Sequence, residues 1–247
     1  MSTKVSQGFD AYFFVISVID IADRKMCEWI DLLQVEFLVH ANPQKALLQK
    51  AYLKNQFEFF GLTAPERREI QKPFLAKAFL PPKVDLKTIV KELWLKPERE
   101  YQYFAQELAF KYVKQMEEKD IDLFEFMVIN KSWWDTVDFI AVKLMGSYFQ
   151  NFPKARDERI EIWLKSENIW LQRSALLFQL KYKNDLDDKL LSFVINTLLG
   201  SKAFFINKAI GWILREYSRT NPLWVRDFCA RTPLNNLSKK EALRFLL

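Results

Sequence analysis

From about residue 26 onward, apolar residues recur at spacings of three and four, the period of helices with one buried face. No stretch shows the alternation of a half-buried strand. Asn42-Pro43 predicts a helix start, with Asn as N-cap and Pro at the first helical position. Thr63-Ala64-Pro65-Glu66 predicts another, with Thr63 and Glu66 spaced as a capping box. Pro81-Pro82 is expected to stop one helix before Asp85 opens the next, and Ser132 is expected to cap a later one. Pro97, Pro153, Pro222 and Pro233 fall in further breaks. The segments between these signals run about 10 to 18 residues, which gives about twelve or thirteen helices.

A faint repeat runs through them. Ala-x-x-apolar-x-x-x-Tyr occurs at Ala105, Leu108, Tyr112, at Ala141, Leu144, Tyr148 and at Ala175, Phe178, Tyr182. A fourth copy has Ala209 and Trp212, with Glu216 in the third place. The alanines step by 36, 34 and 34 residues, the length of a helical pair stacked on its neighbours. The expected fold is therefore all-α: a superhelical α-solenoid of HEAT-like repeats with a concave basic groove. No linker rich in Gly, Ser or Pro interrupts residues 26–247, so one domain is expected there. Residues 1–25 stand apart as an extension. Their apolar run, 11–22, is shorter than the about 20 residues a membrane span needs, and no signal-peptide cleavage site follows. It is either an extra element packed on the body or upstream sequence read as coding.

Composition narrows the chemistry. The five glycines form none of the phosphate-loop or nucleophile-elbow patterns. The single histidine, His40, rules out a multi-histidine metal site. Cys27 and Cys229 lie too far apart in sequence to suggest a CxxC site and read as buried structural thiols. No cofactor is called for, and a cytoplasmic, monomeric protein without membrane attachment is expected. The net charge of +6 is unevenly placed: residues 139–247 carry 18 Lys+Arg against 10 Asp+Glu, and residues 1–138 carry 19 against 21. The C-terminal part is thus the face for a polyanion.

The segment Ser132-Trp133-Trp134-Asp135-Thr136-Val137-Asp138 is the densest in chemistry. On a helix, adjacent tryptophans point about 100° apart, whereas Trp134 and Asp138, four apart, share a face. Two arrangements suit this. In one, the indoles are core and both aspartates serve the helix dipole. In the other, Trp134 and Asp138 face a groove. Trp134, Arg173 and Trp212 are spaced by 39 and 39 residues, about one repeat plus one turn. Such positions can align across successive inner helices.

These residues resemble the HEAT-like-repeat DNA alkylation repair glycosylases, the AlkD-like family. Tyr52-Leu53-Lys54-Asn55-Gln56-Phe57-Glu58-Phe59-Phe60-Gly61, followed by Pro65-Glu66-Arg67-Arg68, looks like the family's N-terminal signature. Ser132 to Asp138 is similar to its catalytic-helix signature, and Arg173 and Trp212 fall at its groove positions. The resemblance covers about residues 26–247. It implies hydrolysis of the N-glycosidic bond of N3- and N7-alkylated purines in duplex DNA, without a base-binding pocket. It implies catalytic roles for Asp138, Trp134, Arg173 and Trp212. Asp138 would stabilise the sugar cation and position water, and Arg173 would hold a phosphate. DNA contacts are expected from Tyr52, Trp134, Arg173, Trp212, Lys208 and Arg215. A monofunctional glycosylase is expected, since no motif places a lysine for lyase chemistry. Two other readings stay open: a non-catalytic binder of bent or branched DNA, and a scaffold for a protein partner.

Overall fold

The computed structural model describes residues 28–246; the extension 1–25 and Cys27 lie outside them. The described chain is helical throughout, its one β-type pairing an isolated bridge of Glu58 with Glu98. Helix α1 (28–39) is followed by α2 (Pro43–Tyr52), α3 (Ala64–Gln71), α4 (Leu86–Leu95) and α5 (Arg99–Lys111). Then come α6 (Ile121–Ile129), α7 (Trp134–Phe139), a π-helical turn (Ile140–Met145), α8 (Gly146–Asn151), α9 (Arg156–Lys165) and α10 (Ile169–Leu177). Helices α11 (Asp188–Thr197), α12 (Phe204–Tyr217), α13 (Pro222–Arg231) and α14 (Asn236–Ala242) complete the order. The chain divides within α5 into two compact units, at Ala105/Gln106.

The start signals act as expected. Asn42 Oδ1 accepts the Lys45 backbone N–H at 3.0 Å. The Thr63 N–H donates to the Glu66 carboxylate at 2.9 Å and the Thr63 hydroxyl donates to it at 2.7 Å, closing the capping box. The stop at Pro81-Pro82 is not where α3 ends. That helix finishes at Gln71, and a 3-10 turn, Pro73–Leu75, follows. Pro73 supplies no N–H for the next rung of the α-helical ladder, so the α-helix gives way to a 3-10 turn well before the proline pair is reached, with Lys72 still in helical backbone.

The first unit is built around a polar clamp. Phe37, Phe60 and Tyr101 pack with ring centroids 5.4–5.7 Å apart. Beside them the fully buried Glu100 carboxylate accepts the N–H groups of Phe60, Gly61 and Leu62 at 3.1, 3.0 and 3.1 Å. Burial pushes the Glu100 carboxyl above the usual range, and these N–H bonds pull against that. Arg99, also buried, lies 3.8 Å from the Phe57 ring centroid, and the buried Arg67 donates to Gln71 at 2.8 Å. The stretch 52–68 is thus held by buried charge as much as by apolar packing.

In the second unit α7, α10 and α12 pack side by side, with α6, α9, α11 and α13 as their partners. The repeat is real in the packing: Ala141, Ala175 and Ala209 are all buried, as is Ala105, the last residue of the first unit, and a methyl side chain lets neighbouring helices approach. The tyrosines of the motif carry bonds across repeats. Tyr148 donates its hydroxyl to the Glu118 carbonyl at 2.8 Å, and Tyr182 donates to the Gly146 carbonyl at 2.6 Å. A second recurrence was hidden in the sequence. The side-chain amides of Gln102, Gln172 and Asn207, 70 and 35 residues apart, each donate backwards to backbone carbonyls: Gln102 and Gln172 to the end of the preceding helix, Asn207 to Ser201 in the loop before α12. Helix ends leave such carbonyls unpaired, so at Gln102 and Gln172 the same polar latch ties a helix to the end of the one before it. The buried Cys229 thiol is raised by burial and is structural, as expected.

Candidate functional site

The chain turns into α7 at Trp133, and the expected cap is displaced. Ser132 donates its hydroxyl to the Val128 carbonyl at 2.5 Å, closing the end of α6, while Trp133 itself occupies the N-cap in extended backbone. The Trp133 ring packs in a cluster with Trp170 and Phe205, at 5.7 and 5.2 Å between centroids. Rings from the starts of three successive inner helices therefore form one apolar floor. Trp134, one residue on, is the first residue of α7. It lines a cleft of about 380 Å³ together with Asp138, Arg173, Trp212, Phe204 and Phe205. The sequence spacing is thus realised: α7, α10 and α12 bring Trp134, Arg173 and Trp212 to one cleft, with Asp138 a turn beyond Trp134. The π-helical turn begins two residues after Asp138; such turns locally shift the register of a helix and are frequent at functional sites.

Asp138 and Arg173 form a two-pronged ion pair. Arg173 Nε donates to Asp138 Oδ1 at 2.7 Å, and a terminal nitrogen donates to Oδ2 at 2.9 Å. The other terminal nitrogen donates to the Phe205 carbonyl at 2.5 Å. The Arg173 side chain is 4 % exposed and that of Asp138 17 %. The fork that was expected to meet a phosphate is therefore committed to a carboxylate. It fixes both Asp138 oxygens, and each keeps acceptor capacity for something entering the cleft. Burial pushes the Asp138 carboxyl above the usual aspartate range, the Arg173 contact pulls it down, and Asp135 adds to the rise.

The rest of the cleft is cationic and contains a residue that sequence reasoning missed. Lys208, Trp212 and Arg215 lie on one face of α12. Glu241, from α14, accepts from Lys208 Nζ at 2.6 Å and from Arg215. Arg244 also lines the cleft. Nothing in the sequence marks Glu241: it follows two lysines in a short helix and reads as a solvated surface residue. Several basic residues counted towards the polyanion face are paired within the chain: Arg156 with Asp187, Arg159 with Glu125, and Lys181 with Glu216. Tyr52 ends α2 in the first unit, 70 % exposed. Among the described residues no group of three or more His, Cys, Asp or Glu could hold a metal ion, and no helix is long and apolar enough to cross a membrane.

Fold and cleft together define an all-α helical-repeat protein with a cationic cleft, two half-buried indoles and a largely buried, arginine-held carboxylate. The family model described as DNA alkylation repair enzyme matches residues 33–246, and the chain belongs to that family. A solved structure described as a predicted DNA alkylation repair enzyme from Enterococcus faecalis is 36 % identical, with a TM-score of 0.78 over 83 % of this chain and 96 % of that one. The smu.31 protein of Streptococcus mutans UA159 shares the fold at 16 % identity and a TM-score of 0.55, over 82 % and 97 % of the two chains. No curated protein matches the chain.

One expected result belongs to this geometry. If Asp138 acts ionised, activity falls as pH drops through its pKa. Burial has moved that pKa up, so the acid limb should lie above the range of an ordinary aspartate. Arg173→Lys removes the fork, since an ammonium cannot make the two parallel bonds. The Asp138 pKa then rises further, and the acid limb of single-turnover activity moves to higher pH. An unchanged limb would show that the pair does not set it.

Proposed function

We propose that the chain is a monofunctional DNA N-glycosylase acting on cationic N3- and N7-alkylated purines in duplex DNA. The Asp138 carboxylate, largely buried, lining a cationic cleft and locked by Arg173, is the observation that carries this reading. An alkylated purine leaves as a neutral base, so its departure needs no general acid. That fits a chain whose single histidine is His40, outside the cleft lining. As the C1′–N bond lengthens, positive charge grows on the deoxyribose. A carboxylate already fixed in a low-dielectric site stabilises that charge without reorganising. It also accepts a hydrogen bond from the attacking water and orients it.

Trp134 and Trp212 supply π faces to the sugar and to the cationic nucleotide. Lys208 and Arg215 attract the phosphate backbone. Arg173 acts through Asp138 instead of on the DNA. Lys208 Nζ is committed to Glu241, which supports hydrolysis over a lysine-linked lyase route. The cleft is lined by side chains from α7, α10, α12 and the α14 region, and it takes the backbone and the lesion's charge without enclosing a flipped base. Incubating the protein with N7-methylated duplex DNA should release the free modified base and leave abasic sites. Duplex binding without any release would favour the non-catalytic DNA-binding alternative.

A further inference from the structure

Helix α14 approaches α12 at Gly211. A Cβ on Gly211 would lie 2.6 Å from the Glu241 Cβ and 2.9 Å from the Ser238 carbonyl oxygen. Ser238 adds a hydroxyl bond to the Asn207 carbonyl at 2.7 Å. This contact sets the Glu241 backbone directly over α12, between Lys208 on one turn and Arg215 two turns later. The Glu241 side chain is 9 % exposed, whereas Lys208 is 41 % exposed. The Lys208 bond, together with the Arg215 and Arg244 charges, holds the Glu241 carboxyl below the usual range, so it is ionised at neutral pH. An anion in a cleft meant for a polyanion opposes binding by its charge alone. Its geometry does the reverse: it removes the freedom of two long cationic side chains, each of which would otherwise lose rotamer entropy on meeting a phosphate.

We propose that Glu241 is a positioning residue, whose carboxylate holds Lys208 and Arg215 as a pre-formed cation pair for a phosphodiester group of the bound DNA. This rests on the functional reading above as far as the partner is duplex DNA. The phosphate would share the pair with Glu241, and Arg244 adds charge at the same wall.

The test exploits opposite signs. Glu241→Gln removes one negative charge from the cleft, so charge alone predicts tighter binding. Positioning predicts weaker binding, by about 5–10-fold, as one charge-assisted phosphate contact is lost. The slope of log K against log salt for undamaged duplex, read by fluorescence anisotropy, becomes shallower by about 0.9. In base release, KM rises and kcat holds. Tighter or unchanged binding by a folded Glu241→Gln protein overturns the inference. Lys208→Ala, at a half-buried position, gives a second route should Glu241→Gln not fold. Alone it weakens binding with the same slope change; an unaltered slope overturns the inference. Combined with Glu241→Gln it adds little, because the pair acts as a unit; full additivity overturns it. A wild type with no salt-dependent affinity for duplex DNA would bring down the functional reading and this inference with it. A wild type that binds normally while Glu241→Gln binds tighter removes this inference alone.

Discussion

Asp138→Asn is expected to slow base release from N7-methylated duplex by about 10²- to 10³-fold, the loss typical when one pre-organised electrostatic stabiliser is removed. The substitution is nearly isosteric. The amide oxygen can still accept one Arg173 bond, so the cleft keeps its shape and its cations. What disappears is the negative charge that the proposed mechanism sets against the sugar. Single-turnover release rates for the two proteins, with duplex affinity measured alongside, separate chemistry from binding. A variant with the wild-type rate would move the catalytic role elsewhere, and Glu241 is the other carboxylate lining the cleft.

The second large effect concerns stability and lies in the first unit. Gly61 sits at φ +90°, and a Cβ there would come 2.0 Å from the Asn42 carbonyl oxygen and 2.7 Å from the Ala46 nitrogen. Those are backbone atoms at the start of α2, where Asn42 and Phe60 are already bonded at 2.8 Å. Gly61→Ala therefore combines left-handed strain with overpacking, and should cost about 2–5 kcal/mol. Gly200 is the internal control. It has φ +81° with nothing within 4 Å of its would-be Cβ, so Gly200→Ala should cost only the strain, about 1–2 kcal/mol. Urea midpoints compare the two. Equal losses would mean that the close approach at Gly61 relaxes and carries no energy of its own.

The parts of this protein that local spacing determines were legible in the sequence. The capping box at Thr63 and Glu66, the Asn42 cap and the four buried alanines need only neighbours three, four or about 35 residues away. The cleft was legible for the same reason: one repeat plus one turn is a distance that helical geometry fixes. What escaped was set by tertiary contact. Glu241 looks like a surface residue until α14 is laid on Gly211. Arg173 looks like a phosphate ligand until its fork is seen closed on Asp138. The cap at Ser132 failed because its hydroxyl found the end of α6 before it could serve α7. The early end of α3 followed from Pro73, whose missing N–H was not among the stop signals read from the sequence.

The central claim is that this cleft cleaves a glycosidic bond whose base already carries the positive charge. Parallel incubation of the wild-type protein with duplexes carrying 7-methylguanine or the neutral lesion hypoxanthine tests it most directly. The account predicts release of free 7-methylguanine and no release of hypoxanthine. Equal release of both bases, or release of neither, would contradict it.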